Sequence, residues 1–295
     1  MMSALRTLNF IARHPLNRSE PWRALWRFTS WQIATRLGAG AIAVPFVDDT
    51  RLLVARGMHG ATGNVYCGLH EFEDMAFVLH ALRPEELFVD VGANVGSYSV
   101  LAAGVVGAQA LAFEPAPHTY AALVDNLRLN NLESRVEARR QGVGAQAGQL
   151  RFTTGLDTVN HVLAATEAAT TALEVPIVTL DAVLGPPRPC MIKVDVEGYE
   201  TAVVEGAQRT LRSPEVFAVL MELNGSGARY GFDEARLHES MLGFGFLTAR
   251  YDPLTRELRA NECGAGGNRL YIRDAAALQR RVAAAPRRRV HGSRV

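Results

Sequence analysis

The chain has 295 residues, 48% of them hydrophobic, and its 31 basic and 30 acidic residues leave a net charge of +1. That length is enough to bury a large core, most simply as one α/β domain with additions. The charge balance gives no sign of a nucleic-acid partner, which would call for a basic stripe, the local exceptions being an arginine-dotted N-terminus and a basic tail. Three widely spaced cysteines (Cys67, Cys190, Cys263) without CxxC or Cys/His spacing argue against a disulfide framework or structural zinc and fit a reducing compartment.

Residues 1–36 carry apolar positions at helical spacing, including Leu8, Phe10 and Ile11, then Trp22, Leu25, Trp26 and Phe28, broken at His14-Pro15. Arg6, Asn9 and Arg13 interrupt the apolar run that a signal peptide would need, and no later stretch is a bilayer span, so a cytoplasmic protein without stable membrane insertion is expected. The tryptophans Trp22, Trp26 and Trp31 fit either a helix packed on the core or an aromatic wall facing a substrate. Residues 41–56 read as two short strands about Asp48-Asp49. The Gly-rich segment that follows reads as an irregular loop and a candidate part of the substrate site, until a helix resumes near Glu71.

After Pro84 strand and helix patterns alternate. Strands are expected at 87–91, 110–114, 135–143, 191–196, 216–223, 246–252 and 269–273, and helices at 96–106, 117–130, 198–212 and 233–243. Such an alternation predicts a mostly parallel sheet covered on both faces, with the last two strands pairing antiparallel at its edge. Between 144 and 190 the alternation fails: two short strands flank a Thr/Ala-rich loop. Three regions are expected: an extension over 1–83 that acts as a lid or substrate region, a main domain over 84–274, and a loose Ala/Arg-rich tail over 275–295. The run Arg287-Arg288-Arg289 reads as solvated charge.

The strongest motif is ELFVDVGANVGSYSVLAA, residues 86–103. A buried strand ends in Asp90 and turns through Gly92, Asn94 and Gly96 into an Ala-rich helix. Small residues let the backbone approach a ligand, and the helix start offers free N–H groups. The spacing differs from G-x-G-x-x-G, which favours a nucleotide-type ligand without a pyrophosphate. Glu114, at the end of the next strand, is placed to accept hydrogen bonds from both ribose hydroxyls of an adenosine.

These segments, with VPIVTLD, IKVDVEGYE, VVEGAQRTL, MELN and the late YGF…GF…YDP run, resemble the FkbM-type family of class I S-adenosylmethionine-dependent methyltransferases. The likeness covers roughly residues 60–273. It implies a Rossmann-like, seven-stranded methyltransferase sheet with the last strand antiparallel, and S-adenosylmethionine as cofactor. Asp90, Gly92, Asn94 and Gly96 would border the methionine part of that cofactor and Glu114 its ribose. The implied reaction is methylation of a hydroxyl on a sugar, glycan or polyketide-like product. Arg139-Arg140-Gln141-Gly142 departs from the pattern in being basic beside the expected adenine.

Within MIKVDVEGYE, Lys193 is the only lysine of the chain; the other thirty basic residues are arginines. Strand alternation puts Lys193, Asp195 and Glu197 on one side. Charges there, at the carboxyl end of a central parallel strand, must pair or do work. Deprotonating an acceptor hydroxyl needs a carboxylate or a lysine of lowered pKa; arginine stays protonated. Lys193 is thus either a structural partner of Asp195 or Glu222, or a member of the catalytic set Lys193, Asp195 and Glu222. Asn224 is expected beside Glu222, and His161 is a second candidate base. Asp195 with Glu222 is too sparse a set to assign a metal. A nicotinamide-dependent oxidoreductase and a non-catalytic binding protein of the same fold are the competing readings; the motif spacing disfavours the first and the charged set in the crevice the second. Oligomeric state is not indicated.

Overall fold

In the computed structural model, residues 2–38, 40–153, 161–163, 172–264 and 267–295 are described. Helix α1 (Met2–Arg13) and helix α2 (Pro21–Leu37) are separated by a 3-10 turn at Pro15–Asn17. Pro15 and Pro21 occupy first-turn positions, where a missing N–H costs nothing. Strands β1 (Ile42–Pro45) and β2 (Arg51–Val54) form an antiparallel hairpin.

The segment expected as an irregular loop contains helix α3 (His59–Cys67), followed by α4 (Phe72–Ala81). Glycine-rich sequence has poor helix propensity. Here burial of Ala61, Val65, Tyr66 and Cys67 supplies what propensity does not.

Strand β3 (Leu87–Val91) leads through the glycine turn into α5 (Ser97–Val100), which continues as a π-helical stretch over Leu101–Val106. Then come β4 (Gln109–Phe113), α6 (Pro117–Leu129) and β5 (Val136–Arg139). The single strand expected over 135–143 is divided, since β6 (Gly142–Val143) belongs to another sheet. There it pairs with β8 (Ala172–Val178), whose other neighbour is β7 (Gly148–Thr153). Gly142 packs directly on Ile177, in space that a Cβ would occupy. The Thr/Ala-rich loop between these strands lies largely outside the described residues.

After the short helix α7 (Leu180–Val183), strand β9 (Cys190–Val194) enters the centre of the main sheet. The helix expected over 198–212 is two pieces, α8 (Glu200–Glu205) and α9 (Gln208–Arg212). They are divided at Gly206, where a side chain would collide with the carbonyl of Gly144. Strand β10 (Val216–Glu222), helix α10 (Glu234–Gly243), β11 (Leu247–Asp252), β12 (Glu257–Ala260) and β13 (Asn268–Ile272) complete the domain.

Among the described residues the main sheet has eight strands in the order β12-β11-β13-β10-β9-β3-β4-β5. Strands β10, β9, β3, β4 and β5 run parallel. Strand β13 lies between β10 and β11, antiparallel to both. It is therefore interior, and the edge is held by β12, a hairpin partner of β11 absent from the sequence expectation. Its alternation of Glu257 and Arg259 with small or apolar residues suits an exposed edge and hides it from a search for apolar runs.

The sheet separates two apolar layers. One joins Phe88, Met191, Ala218 and Leu220 to α4, α5 and the N-terminal extension; the other joins Val89, Ile192, Val194 and Met221 to α8, α9 and α10. The tail is not loose. Helix α11 (Ala275–Ala283) is capped by Asp274, and a small hairpin of β14 (Arg289–Val290) and β15 (Ser293–Arg294) follows. Val290 bridges to Val47 and is fully buried, while Arg288 and Arg289 pair with Asp48 and Asp49. Arg287 and Arg289 stay exposed, as expected of a solvated run, while the half-buried Arg288 ties the tail to the β1–β2 turn.

Candidate active site

The register of the parallel strands decides which charges meet. Asp90 on β3 and Leu220 on β10 flank Lys193 on β9 in the ladder, so all three point to one face. Asp195 and Glu222 lie two residues further along their chains and share that face. It is the face covered by α4, α5 and the N-terminal helices, and a cavity of about 1360 Å³ opens over it. That volume exceeds the roughly 300–1,000 Å³ of a site for one small ligand, so two ligands have room.

The glycine turn forms part of the floor. Gly92 and Asn94 line the cavity, both with positive φ (82° and 51°). A Cβ on Gly92 would fall on the carbonyl oxygen of Asp195, so glycine is what lets this turn close against the end of β9. Gly96, also left-handed, begins α5 and leaves space that Leu123 of α6 fills. It supports the turn from behind rather than lining the cavity.

Glu114 lines the same cavity and ties the two motifs together. Its Oε2 accepts from the N–H of Asn94 at 3.0 Å and its Oε1 from the N–H of Ala116 at 2.9 Å. Burial pushes its carboxyl up to about 7, against the pull of those two N–H groups, with Asp90 and Asp195 adding to the rise. Gln141, Gly142 and Val143 extend the lining beyond it. Of the two unexpected basic residues nearby, Arg139 pairs with Glu137 at 2.7 Å and lies over the Phe113 ring.

Asp90 sits beneath the cavity rather than in its lining. It is fully buried, accepts from Ser99 Oγ at 2.7 Å with Oδ2, and its Oδ1 has no hydrogen-bond partner among the described residues. Burial raises its pKa, with Lys193 and Ser99 opposing.

Lys193 is only 5% exposed. Its ammonium donates to Asp195 Oδ2 at 2.7 Å and lies 4.7 Å from the centre of the Tyr98 ring. Burial works against its charge, but the carboxylates of Asp195, Glu71 and Asp90 more than offset that and raise its pKa. This lysine holds its proton, so the field around it opposes the role of base and suits a fixed cation.

Glu222 is in the opposite condition. Burial, then the nearby carboxylates of Asp195, Glu197 and Glu200, push its pKa up to about 8, with Lys193 opposing, and its Oε2 has no hydrogen-bond partner among the described residues. Asp195, Glu197 and Glu222 each bring a carboxylate oxygen within 4.8 Å of the others. Such a group can hold a cationic sulfonium or a divalent cation. Glu197 joins it from a left-handed backbone position (φ 55°), a conformation uncommon for a residue other than glycine or asparagine.

Other expectations fall elsewhere. Asn224 closes a turn by accepting from Ser226 and does not line the cavity. His161 is buried, with its backbone N–H donating to Thr153 Oγ1, and does not line the cavity. Trp31 is buried and lines the cavity, whereas Trp22 and Trp26 are exposed and do neither of the things expected of them.

Glu71 and Tyr98 were not singled out as site residues in the sequence, although both line the cavity. Tyr98 donates to Glu71 Oε2 at 2.8 Å, and Asn268 donates to Glu71 Oε1 and to Asp74. Tyr98 lies two residues past the last glycine of the turn, which is the one signal that could have found it. Glu71 and its neighbours come from the extension, and α2 adds Phe28, Trp31 and Gln32 to the walls.

A mostly parallel sheet with a glycine turn at β3, an acid at the end of β4 and a large cavity over their carboxyl ends is a Rossmann-like architecture. The family model described as Methyltransferase FkbM domain matches residues 90–248, and the chain belongs to that family. It is a methyltransferase, with S-adenosylmethionine as cofactor.

The chain is 27% identical over 192 residues to the hexuronic acid methyltransferase AglP of Haloferax volcanii, covering 64% of this chain and 78% of that protein. It is 39% identical over 83 residues to the methyltransferase sdnD of Sordaria araneosa, covering 28% of this chain and 32% of that protein. A solved precorrin-6y C5,15-methyltransferase from Geobacter metallireducens covers 70% of this chain and 89% of its own at 13% identity, with a TM-score of 0.40. That likeness is too loose to carry an argument. No helix among the described residues is long and apolar enough to cross a membrane.

The site fits the cofactor in its donor chemistry. Each oxygen of Glu114 accepts one backbone N–H and leaves a second lone pair, which suits a hydroxyl-bearing ligand. The carboxylates of Asp195, Glu197 and Glu222 face the same cavity and favour a cation there.

Proposed function

We propose that the protein transfers a methyl group from S-adenosylmethionine to a hydroxyl oxygen of a sugar-like acceptor. The observation that carries this reading is the meeting, in one cavity, of the backbone-held Glu114 with a Glu222 carboxylate oxygen that has no hydrogen-bond partner among the described residues. When bound, the cofactor supplies an electrophilic methyl group on a positively charged sulfur. Glu114 takes the ribose hydroxyls, and the backbone of Gly92 and Asn94 borders the rest of the cofactor, with Asp90 and Gly96 supporting that turn from behind.

On the acceptor side Glu222 is the base. A carboxylate with a pKa of about 8 is far better matched to taking a hydroxyl proton near neutrality than one at its ordinary value of 4.5. Asp195 accepts a hydrogen bond from the acceptor and orients it, and Lys193 fixes Asp195. Holding the acceptor oxygen in line with the methyl group supplies much of the acceleration. The likeness to AglP, a hexuronic acid methyltransferase, supports a sugar as acceptor.

Titration calorimetry with S-adenosylmethionine, S-adenosylhomocysteine and NADH tests the cofactor assignment; failure to bind either sulfur ligand removes it. Methyl transfer to a neutral sugar and to its uronate tests the oxygen. An alkali-stable ether supports the hydroxyl, whereas an alkali-labile ester would mean that a carboxylate, which needs no base, is the acceptor.

A further inference from the structure

We infer that the outer face of α2 docks on an anionic lipid surface. Helix α2 is apolar on two sides. Its inner side buries Ala24 and Trp31 and contributes Phe28 and Trp31 to the cavity. At 100° per residue, Trp22, Trp26, Ile33 and Leu37 fall together on the opposite side, with Leu25 at its margin. These four are 63%, 71%, 57% and 84% exposed. A helix that is apolar all round needs cover on both faces, and on the outer face the described residues supply none.

Charge selects the occupant. Residues 1–38 hold six arginines and one acid, Glu20, in a chain whose total net charge is only +1. Arg27 turns inward to Asn17 and Tyr66. Arg23, with no buried partner among the described residues, borders the apolar stripe and lies over the Trp22 ring, while Arg36 stands at the margin between the stripe and the cavity, whose lining it joins. Two tryptophans beside flanking arginines form the pattern of a helix lying in a membrane interface: indoles at headgroup depth and guanidinium groups on phosphates. A second copy of this chain would bring the same arginines against themselves.

The docked helix is also a wall of the cavity, so adsorption would carry the acceptor side of the site to the membrane surface. The docking does not depend on methyl transfer, and its test reads a different quantity.

The test is flotation of the full chain with phosphatidylcholine vesicles, with and without phosphatidylglycerol. The expected result is flotation with the phosphatidylglycerol vesicles and a blue shift of tryptophan emission, both lost in high salt. Trp22→Gln with Trp26→Gln should weaken vesicle binding at least about tenfold. S-adenosylhomocysteine binding and the thermal midpoint should stay at wild-type values, because neither side chain is buried. Should that pair disturb the helix, Arg23→Gln gives an independent reading, a loss of about fivefold. Absence of flotation with phosphatidylglycerol, or flotation indifferent to both variants, overturns the inference. So does a concentration-dependent dimer that the tryptophan pair abolishes, which would put a second copy on this face.

Discussion

The ammonium of Lys193 lies 2.7 Å from the carboxylate of Asp195, both residues projecting from the same face of the central strand and its continuation. The Tyr98 ring closes the other side of the ammonium. A compact, strongly hydrated cation fits that slot; a planar guanidinium, longer and with its donors in a fork, does not.

Lys193→Arg is therefore expected to fold and to bind S-adenosylhomocysteine, yet to lose methyl transfer by about a hundredfold through displacement of Asp195. Lys193→Met should behave differently. It leaves Asp90, Asp195 and Glu71 without their buried cation and should cost about 3–5 kcal/mol of stability. Circular dichroism, calorimetry and a methyl-transfer assay on the two variants separate these outcomes; full activity in Lys193→Arg would remove Lys193 from the site.

Glu222 sets the pH dependence. Its ionised form is the base, so kcat/KM should rise with pH through about 8 and level off above it. Glu222→Gln should abolish that limb together with most of the activity. Its effect on stability has a definite sign. The folded value lies above the ordinary 4.5, so the group's contribution is intact below about 4.5 and is lost as pH rises through about 8. Relative to wild type, Glu222→Gln should gain thermal stability across that window, measured as the difference in Tm from pH 5 to 9.

Glu114→Gln should weaken S-adenosylhomocysteine binding by roughly tenfold to a hundredfold. The amide turns an N–H₂ toward one of the two backbone N–H groups that now point at acceptor oxygens. In the wild type, binding should strengthen as pH rises through about 7, where Glu114 ionises. Calorimetry at several pH values checks both statements; equal affinity for the variant would mean that Glu114 only holds the turn.

Gly92→Ala should be costly out of proportion to one methyl group. The left-handed backbone disfavours any side chain by about 1–2 kcal/mol, and overpacking against the Asp195 carbonyl adds about 1–3 kcal/mol. The expected result is a lower Tm with weakened cofactor binding. Gly148→Ala, where a Cβ meets nothing, is the control.

Much of this architecture is legible in the sequence because it is local. The strand-turn-helix motif at 86–103 and the acid at 114 are each encoded within a few residues, and strand alternation alone puts Lys193 with Asp195. What the sequence hides is what depends on partners far along the chain. Helix α3 forms from glycine-rich sequence because neighbours bury it. Strand β12 exists because β11 offers it an edge. Arg288 looks solvated until Asp48, 240 residues away, is brought beside it. Glu71 and Tyr98 escaped for the same reason: their contact bridges the N-terminal extension and α5. The protonation of Lys193 likewise follows from carboxylates on three separate segments.

One consequence reaches beyond chemistry at the site. Because the only lysine of the chain is buried in the central strand, an amine-directed reagent finds no surface side chain to modify, however long the folded protein is exposed to it. Labelling of the peptide that carries Lys193 therefore times the opening of this one strand end. Comparing that rate with and without S-adenosylhomocysteine turns a residue selected for its charge into a clock for the breathing of the cavity floor.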